Sequence, residues 1–256
     1  MKTFRAVLAN SLVASLTNTF VWFAITFWVY LETESVIATS IMAGIYTATV
    51  AISGFFLGSL VDRFPKQRVM LFSSGSSLVL YALAALLFAS TPATVFADPS
   101  SVQLWVFIVL TLVGAICGNL RAIALSTLVT ILIPEDGRDR ANGMVGTANG
   151  VAFLGASILS GLAIGFLGVA WMLVSAIVIT ALVLLHLWSI ALPEPGASEA
   201  GQADAQAESI DLRGTIRAIG LVPGLFGLIF FHTFNNFLGG VFMSLMDAYG
   251  LLLVSV

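Results

Sequence analysis

Four charged side chains crowd one short stretch, "GSLVDRFPKQR" at residues 58–68, where Asp62, Arg63, Lys66 and Arg68 follow Gly58. One further cation, Arg121, lies deep inside an apolar run, and Asn18, Asn119, Asn149 and His186 are isolated polar residues in other apolar runs. These types suit ion pairing and hydrogen bonding. Bond-making chemistry has poorer candidates: "SSGSSL" offers Ser76 or Ser77 as a nucleophile and His186 as a base, but both sit in helical runs with no Gly-x-Ser-x-Gly elbow. There is no His-Glu-x-x-His either, and the single cysteine, Cys117, excludes an intramolecular disulfide and a Cys-rich metal site. The chain reads as a non-enzyme that needs no metal and no cofactor.

The elements that hold these residues are set by composition. Of 256 residues, 59% are apolar and 9% charged, and mean hydropathy is +1.05, values of an integral membrane protein. A bilayer core of about 30 Å needs about 20 apolar residues per helix. That criterion gives spans near Leu8 to Leu31, Val36 to Val61, Val69 to Ser90, Gln103 to Ile133, Ala141 to Gly165, Val169 to Leu192 and Ile219 to Met246. The fold class is therefore all-α and polytopic. The first span is too long for a signal peptide and lacks a cleavage site.

Basic residues fall in alternate connections: Lys2 and Arg5, then Arg63, Lys66 and Arg68, then Arg138 and Arg140, then Arg213 and Arg217. The positive-inside rule places these, and the N-terminus, in the cytoplasm of a cell-membrane protein. A seven-helix receptor would begin outside. No basic stripe for nucleic acid exists, since the cations are split among four small clusters. The connection "LPEPGASEAGQADAQAESIDLRG" is long and polar and reads as a flexible cytoplasmic linker. Residues 1–192 then form a six-helix bundle, 193–218 the linker, and 219–256 a seventh helix. The expectation is a transporter of two six-helix halves cut early in its second half.

Two charges need a physical explanation. Asp62 ends the second span, where the helix macrodipole favours a cation, so its place costs free energy unless a positive partner is supplied. Arg121 lies about 18 Å from the Ile133 end of its helix, beyond easy snorkelling. It is expected to face a water-filled cavity or an acid, and the first six spans supply no Asp or Glu. Small residues recur at four-residue spacing, as in Gly54 and Gly58, Gly114 and Gly118, and Gly146 and Gly150. That spacing suits close helix packing.

The stretch Gly58, Asp62, Arg63, Lys66, Arg68 resembles the loop between the second and third helices of the major facilitator superfamily, with Pro65 where the family usually has Gly. "LIPEDGRDRANGM" resembles the next inner loop of its drug and macrolide efflux branch. The resemblance implies a transporter that works by alternating access, in which Gly58, Asp62, Arg63, Lys66 and Arg68 form a cytoplasmic latch. Glu135, Asp136 and Asp139 become candidate partners for Arg63 and Lys66. It also places Asn18 and Asn149 on helices that line the central path, so Asn18, Arg121 and Asn149 are the candidate cavity residues. The aromatics Trp22, Phe23, Phe27 and Trp28 suit a cavity for apolar molecules and suit lipid-facing positions equally. Two family signatures are absent: the fourth-helix Arg position holds Leu110, and the fifth-helix Gly-Pro-x-x-Gly-Gly becomes Ala156, Ser157, Ser160 and Gly161. That weakens efflux by proton antiport.

The partners implied are the lipid bilayer, a small-molecule substrate and a coupling ion, the proton being one candidate, with no nucleic acid. Export of an amphipathic or hydrophobic compound leads. Uptake or exchange of an anionic metabolite anchored by Arg121 stands second, and a non-transporting helical membrane module third.

Overall fold

The structure is a computed structural model that describes residues 2–192, 217 and 219–254, except for several side chains in the second and last helices. By contacts the chain divides into two units, residues 1–194 and 195–256. The expected linker falls almost wholly on residues 193–216 and 218, outside the described residues.

The first unit is helical throughout: α1 (Lys2–Thr33), α2 (Val36–Arg63), α3 (Lys66–Ser90), the short α4 (Ala93–Phe96), α5 (Val102–Leu132), α6 (Arg138–Leu162) and α7 (Gly168–Ser189). A 3₁₀ turn (Glu135–Gly137) precedes α6, and a wide π turn (Ala163–Leu167) follows it. Two of the helix starts are capped by serine. Ser35 accepts from the Ala38 amide at the head of α2, and Ser101 from the Leu104 amide at the head of α5.

Helical backbone is unbroken over 55 residues, Glu135–Ser189, from the 3₁₀ turn to the end of α7. At 1.5 Å per residue this would be about 80 Å long, far more than one crossing requires. The chain reverses at Gly168, whose φ of 80° and ψ of 172° suit glycine alone. Two spans result, as the sequence predicts.

The buried side chains form two apolar layers stacked along the bundle, and every long helix of the unit passes through both. One layer holds Val7 and Leu8 of α1, Val61 of α2, Val69 of α3, Leu128 of α5, Ala141 of α6 and Leu187 of α7. The other holds Val21 and Ile25 of α1, Met42 of α2, Tyr81 of α3, Leu104 of α5, Ala163 after α6 and Met172 of α7. Helices α1, α3 and α6 run from the first layer to the second, and α2, α5 and α7 run back. This alternation gathers Lys2, Arg5, Arg63, Lys66, Arg68, Arg138 and Arg140 at the first end and Glu32, Glu34 and Asp98 at the other.

At the acidic end, an aromatic set closes the bundle. Trp28 meets Phe107, Phe96 and Phe88 edge-on at ring distances of 5.1, 5.6 and 5.8 Å. Phe96 belongs to α4, an element that the sequence read as plain connection.

Outward faces of α3 and α7 are apolar: Phe72, Val79, Leu83 and Leu86 on one, Trp171, Val178, Leu182 and Trp188 on the other. In water such faces would be a large liability, and against lipid they are neutral.

In the second unit residues 217, 219 and 220 are helical, a turn follows, and α8 (Leu225–Val254) comes after it. Pro223 disfavours helical geometry at the residue before it, and Gly224 has a φ of 80°. His232 and Asn235 are exposed, and Asn236 donates to the His232 carbonyl at 2.8 Å.

Candidate functional site

Arg121 is 3% exposed and is surrounded by neutral oxygens. Its Nη1 donates to Ser74 Oγ at 2.7 Å, and its Nη2 donates to Asn10 Oδ1. Asn10, itself 3% exposed, turns its amide nitrogen to the Val183 carbonyl and to His186 Nδ1, both at 2.9 Å. One guanidinium therefore ties α1, α3 and α5 together, and Asn10 extends the tie to α7. Among the described residues no carboxylate pairs with Arg121, and its Nε makes no hydrogen bond.

Beside Arg121 the bundle interior leaves a small cavity. A cavity of about 10 Å³ is lined by Arg121, Asn18, Ser73, Ser74, Ser77, Thr180, Ala14 and Val183. That is room for about one water molecule. Asn18 and Arg121 both line this space. Asn149 does not join them: it is exposed on α6.

The serine run shapes the cavity floor. Ser73 donates to the Cys117 carbonyl and Ser77 to the Gly114 carbonyl, each at 2.6 Å, locking α3 against α5. Tyr81, one turn further, donates its hydroxyl to Asn18 Oδ1 at 2.8 Å. A Cβ on Gly114 would lie 2.6 Å from the Tyr81 ring, and one on Gly118 would overlap the Asn18 amide. These two glycines allow the close approach expected of them. The other glycines of the paired spacing that fall on α6, Gly146, Gly150 and Gly161, have nothing within 4 Å of an added Cβ.

Sequence reasoning missed Asn10, Ser74 and Thr180. It weighed the serine run only as a nucleophile, whereas the structure gives Ser77 to a backbone carbonyl and His186 to Asn10. A usable signal existed in the four-residue spacing of Ser73, Ser77 and Tyr81, which puts all three on one face of α3. The aromatics of α1 likewise go to packing. Trp22 stacks on Tyr46 at 3.9 Å, and Phe23 meets Phe153 at 5.3 Å.

At the basic end, the residues expected to form a latch are distributed as follows. Gly58 is half-buried, and no described atom comes within 4 Å of a Cβ there. The Asp62 side chain lies outside the described residues. Arg63 and Arg68 are exposed. Lys66 donates to the carbonyls of Val61 at 2.8 Å and Phe64 at 3.3 Å, supplying the cation that the α2 C-terminus favours. No ion pair joins Arg63 to Glu135, Asp136 or Asp139 among the described residues.

The comparison with known families bears on this arrangement directly. A family model for the Major Facilitator Superfamily matches residues 7–256, nearly the whole chain. The chain belongs to the major facilitator superfamily. Among curated proteins no relative matches this superfamily member. Membership makes the bundle of α1 to α7 part of a multi-pass membrane transporter, and it makes a small-molecule cargo the general expectation. Alternate crossing by six long helices is the architecture that such a role requires.

Proposed function

We propose that this chain contributes the first bundle of an alternating-access exporter for a small amphipathic or hydrophobic compound. The observation that carries the reading is the two-faced exposed side of α6. Asn142, Gly146, Asn149, Gly150, Ser157 and Gly161 are exposed and follow one face of that helix, which also carries the exposed Phe153, while Val151, Leu154, Ile158 and Leu162 are exposed on the adjacent face. The second face suits hydrocarbon. The first does not, because an asparagine amide in lipid leaves its hydrogen bonds unmade at a cost of several kcal/mol. Small and polar apart from Phe153, whose ring meets Phe23 edge-on, that face suits a second bundle sliding past it along a wet path.

The choice of cargo rests on where the charge is. Arg121 is occupied by Asn10 and Ser74, and the cavity of about 10 Å³ beside it is too small for an organic anion. An anionic metabolite anchored by Arg121 is therefore the weaker reading. The polar face of α6 offers neutral amides and open space, which suits an uncharged or amphipathic molecule. We assign the basic end to the cytoplasm by the positive-inside rule, and the loop from Gly58 to Arg68 to the latch that closes that side.

Cysteine labelling tests the face. On a Cys117→Ala background, Asn149→Cys reacts with a water-soluble thiol reagent and Leu154→Cys does so at least tenfold more slowly. Equal rates at the two positions would remove the argument for a wet path. Flux into inverted vesicles tests the cargo: accumulation of neutral and lipophilic cationic dyes supports export, and accumulation of organic anions alone rejects it.

A further inference from the structure

Arg121 presents a charge that cannot be neutralised by losing its proton. It sits inside the bundle, and among the described residues it has only neutral partners. A buried charge normally gains an opposite charge as well as hydrogen bonds. The bonds to Asn10 and Ser74 provide the second of these and not the first.

The cavity beside it has the character of a small anion site. Arg121 Nε is buried without a partner, and Arg121 lines the cavity. Ser74 Oγ is already an acceptor for Arg121, so its own proton is available to a cavity occupant. Thr180 adds a hydroxyl from α7, and Asn18 adds an amide from α1. Ser73 and Ser77 spend their protons on backbone carbonyls. Side chains able to donate therefore line the space from α1, α3, α5 and α7. At about 10 Å³ it has room for about one water and none for an organic group, and a chloride ion, somewhat larger than water, must widen it slightly to enter.

We propose that this cavity binds a single halide-class anion, chloride under ordinary conditions, as the counter-ion of Arg121. The ion lies within the first bundle, apart from the exposed face of α6, so it locks α1, α3, α5 and α7 together and is not cargo. The assignment does not depend on the direction of transport or on the nature of the cargo.

The test uses the purified full chain in detergent, with chloride exchanged for gluconate at constant ionic strength. The thermal midpoint rises saturably with chloride, bromide replaces chloride, and gluconate and sulfate do not. Thr180→Val, which removes one donor and keeps the side-chain shape, raises the half-saturating chloride concentration by about tenfold. Arg121→Gln abolishes the chloride dependence. If that variant does not fold, Thr180→Val still decides. Bromide-soaked crystals show one anomalous peak within hydrogen-bond distance of Arg121 Nε. Equal midpoints in chloride and gluconate, an unchanged chloride dependence in Thr180→Val, or an ordered water only at the cavity would each overturn the assignment.

Discussion

Gly118→Ala is the sharpest test of how this bundle is held. The new methyl group would overlap the Asn18 amide and lie 2.8 Å from Asn18 Cγ, so the asparagine must move. Moving it breaks the bond that Asn18 Oδ1 accepts from Tyr81 at 2.8 Å. Overpacking of a close-packed interior costs about 1–3 kcal/mol, and the lost hydrogen bond adds about 0.5–1.5 kcal/mol. Replacing glycine by alanine in a helix returns about 0.5–1 kcal/mol. The net expectation is a destabilisation of about 0.5–4 kcal/mol, read by reversible unfolding in mixed micelles. Gly150→Ala is the matched control, since it lies on α6 with nothing within 4 Å of its added Cβ and is expected to be neutral or slightly stabilising. A double-mutant cycle with Asn18→Ala isolates the clash, and the second change should recover most of the loss. If Gly118→Ala and Gly150→Ala behave alike, α1 does not approach α5 as described.

Asn10→Ala removes an acceptor from a buried guanidinium and a donor from the Val183 carbonyl, and is expected to cost about 2–3 kcal/mol in the same unfolding assay. Gln67→Ala leaves the carbonyls of Leu187 and Ile190 without its donated bonds at 3.3 and 2.7 Å, and hydrogen exchange should rise in the last turn of α7 while α3 stays protected. Asp98, in the loop before α5, has its carboxyl held below the usual range first by the Ser100 hydroxyl and then by the Ser100 amide. Any stability it contributes is present above the ordinary carboxylate range and is lost as pH falls through its depressed value, so Ser100→Ala should raise the midpoint of Asp98 in an NMR titration. Asp62→Asn in a transporting protein should slow turnover and spare substrate affinity, and a collapse of affinity with turnover intact would make Asp62 a ligand.

The six crossings of the first unit were legible because each is a property of its own segment. Apolar length and bounding charges mark Val36 to Val61 or Val69 to Ser90 without reference to any other helix, and the observed helices exceed those bounds by only a few residues. In the seventh, hydropathy averages across Pro223 and Gly224, where backbone geometry and not polarity sets the head of α8. Short α4 escaped because four residues carry no period, and what fixes it is Phe96 docking on Trp28 and Phe107. Arg121 was recognisable as anomalous from its depth alone. Its partners were not, since Ser74 and Asn10 lie 47 and 111 positions away and nothing local links them to it. The glycine spacing shows the same limit: identical four-residue pairs serve close packing at Gly114 and Gly118 and open space at Gly146 and Gly150.

The positive residues of the basic end have two physical causes, and separating them changes which residues call for a functional role. Three helices, α2, α5 and α7, end there with carbonyls that have no partner within their own helix. Lys66 covers Val61, and Arg138 covers Thr130 and Ile133 at 3.2 and 3.3 Å. Gln67, a neutral donor, covers Leu187 and Ile190. Each capping side chain comes from the first turn of a helix that starts at the same end, so the loop chemistry closes one helix while opening another. Part of the cationic excess that orients the chain in a membrane is therefore also required by the helix ends themselves. Lys66 and Arg138 have structural duties that would exist without any gate. At Gly58 no described atom comes within 4 Å of an added Cβ, and Asp62 is an anion at a helix C-terminus, where the macrodipole favours a cation. If the latch operates, its working parts should be these two, and charge-preserving changes at Lys66 should alter stability before they alter turnover.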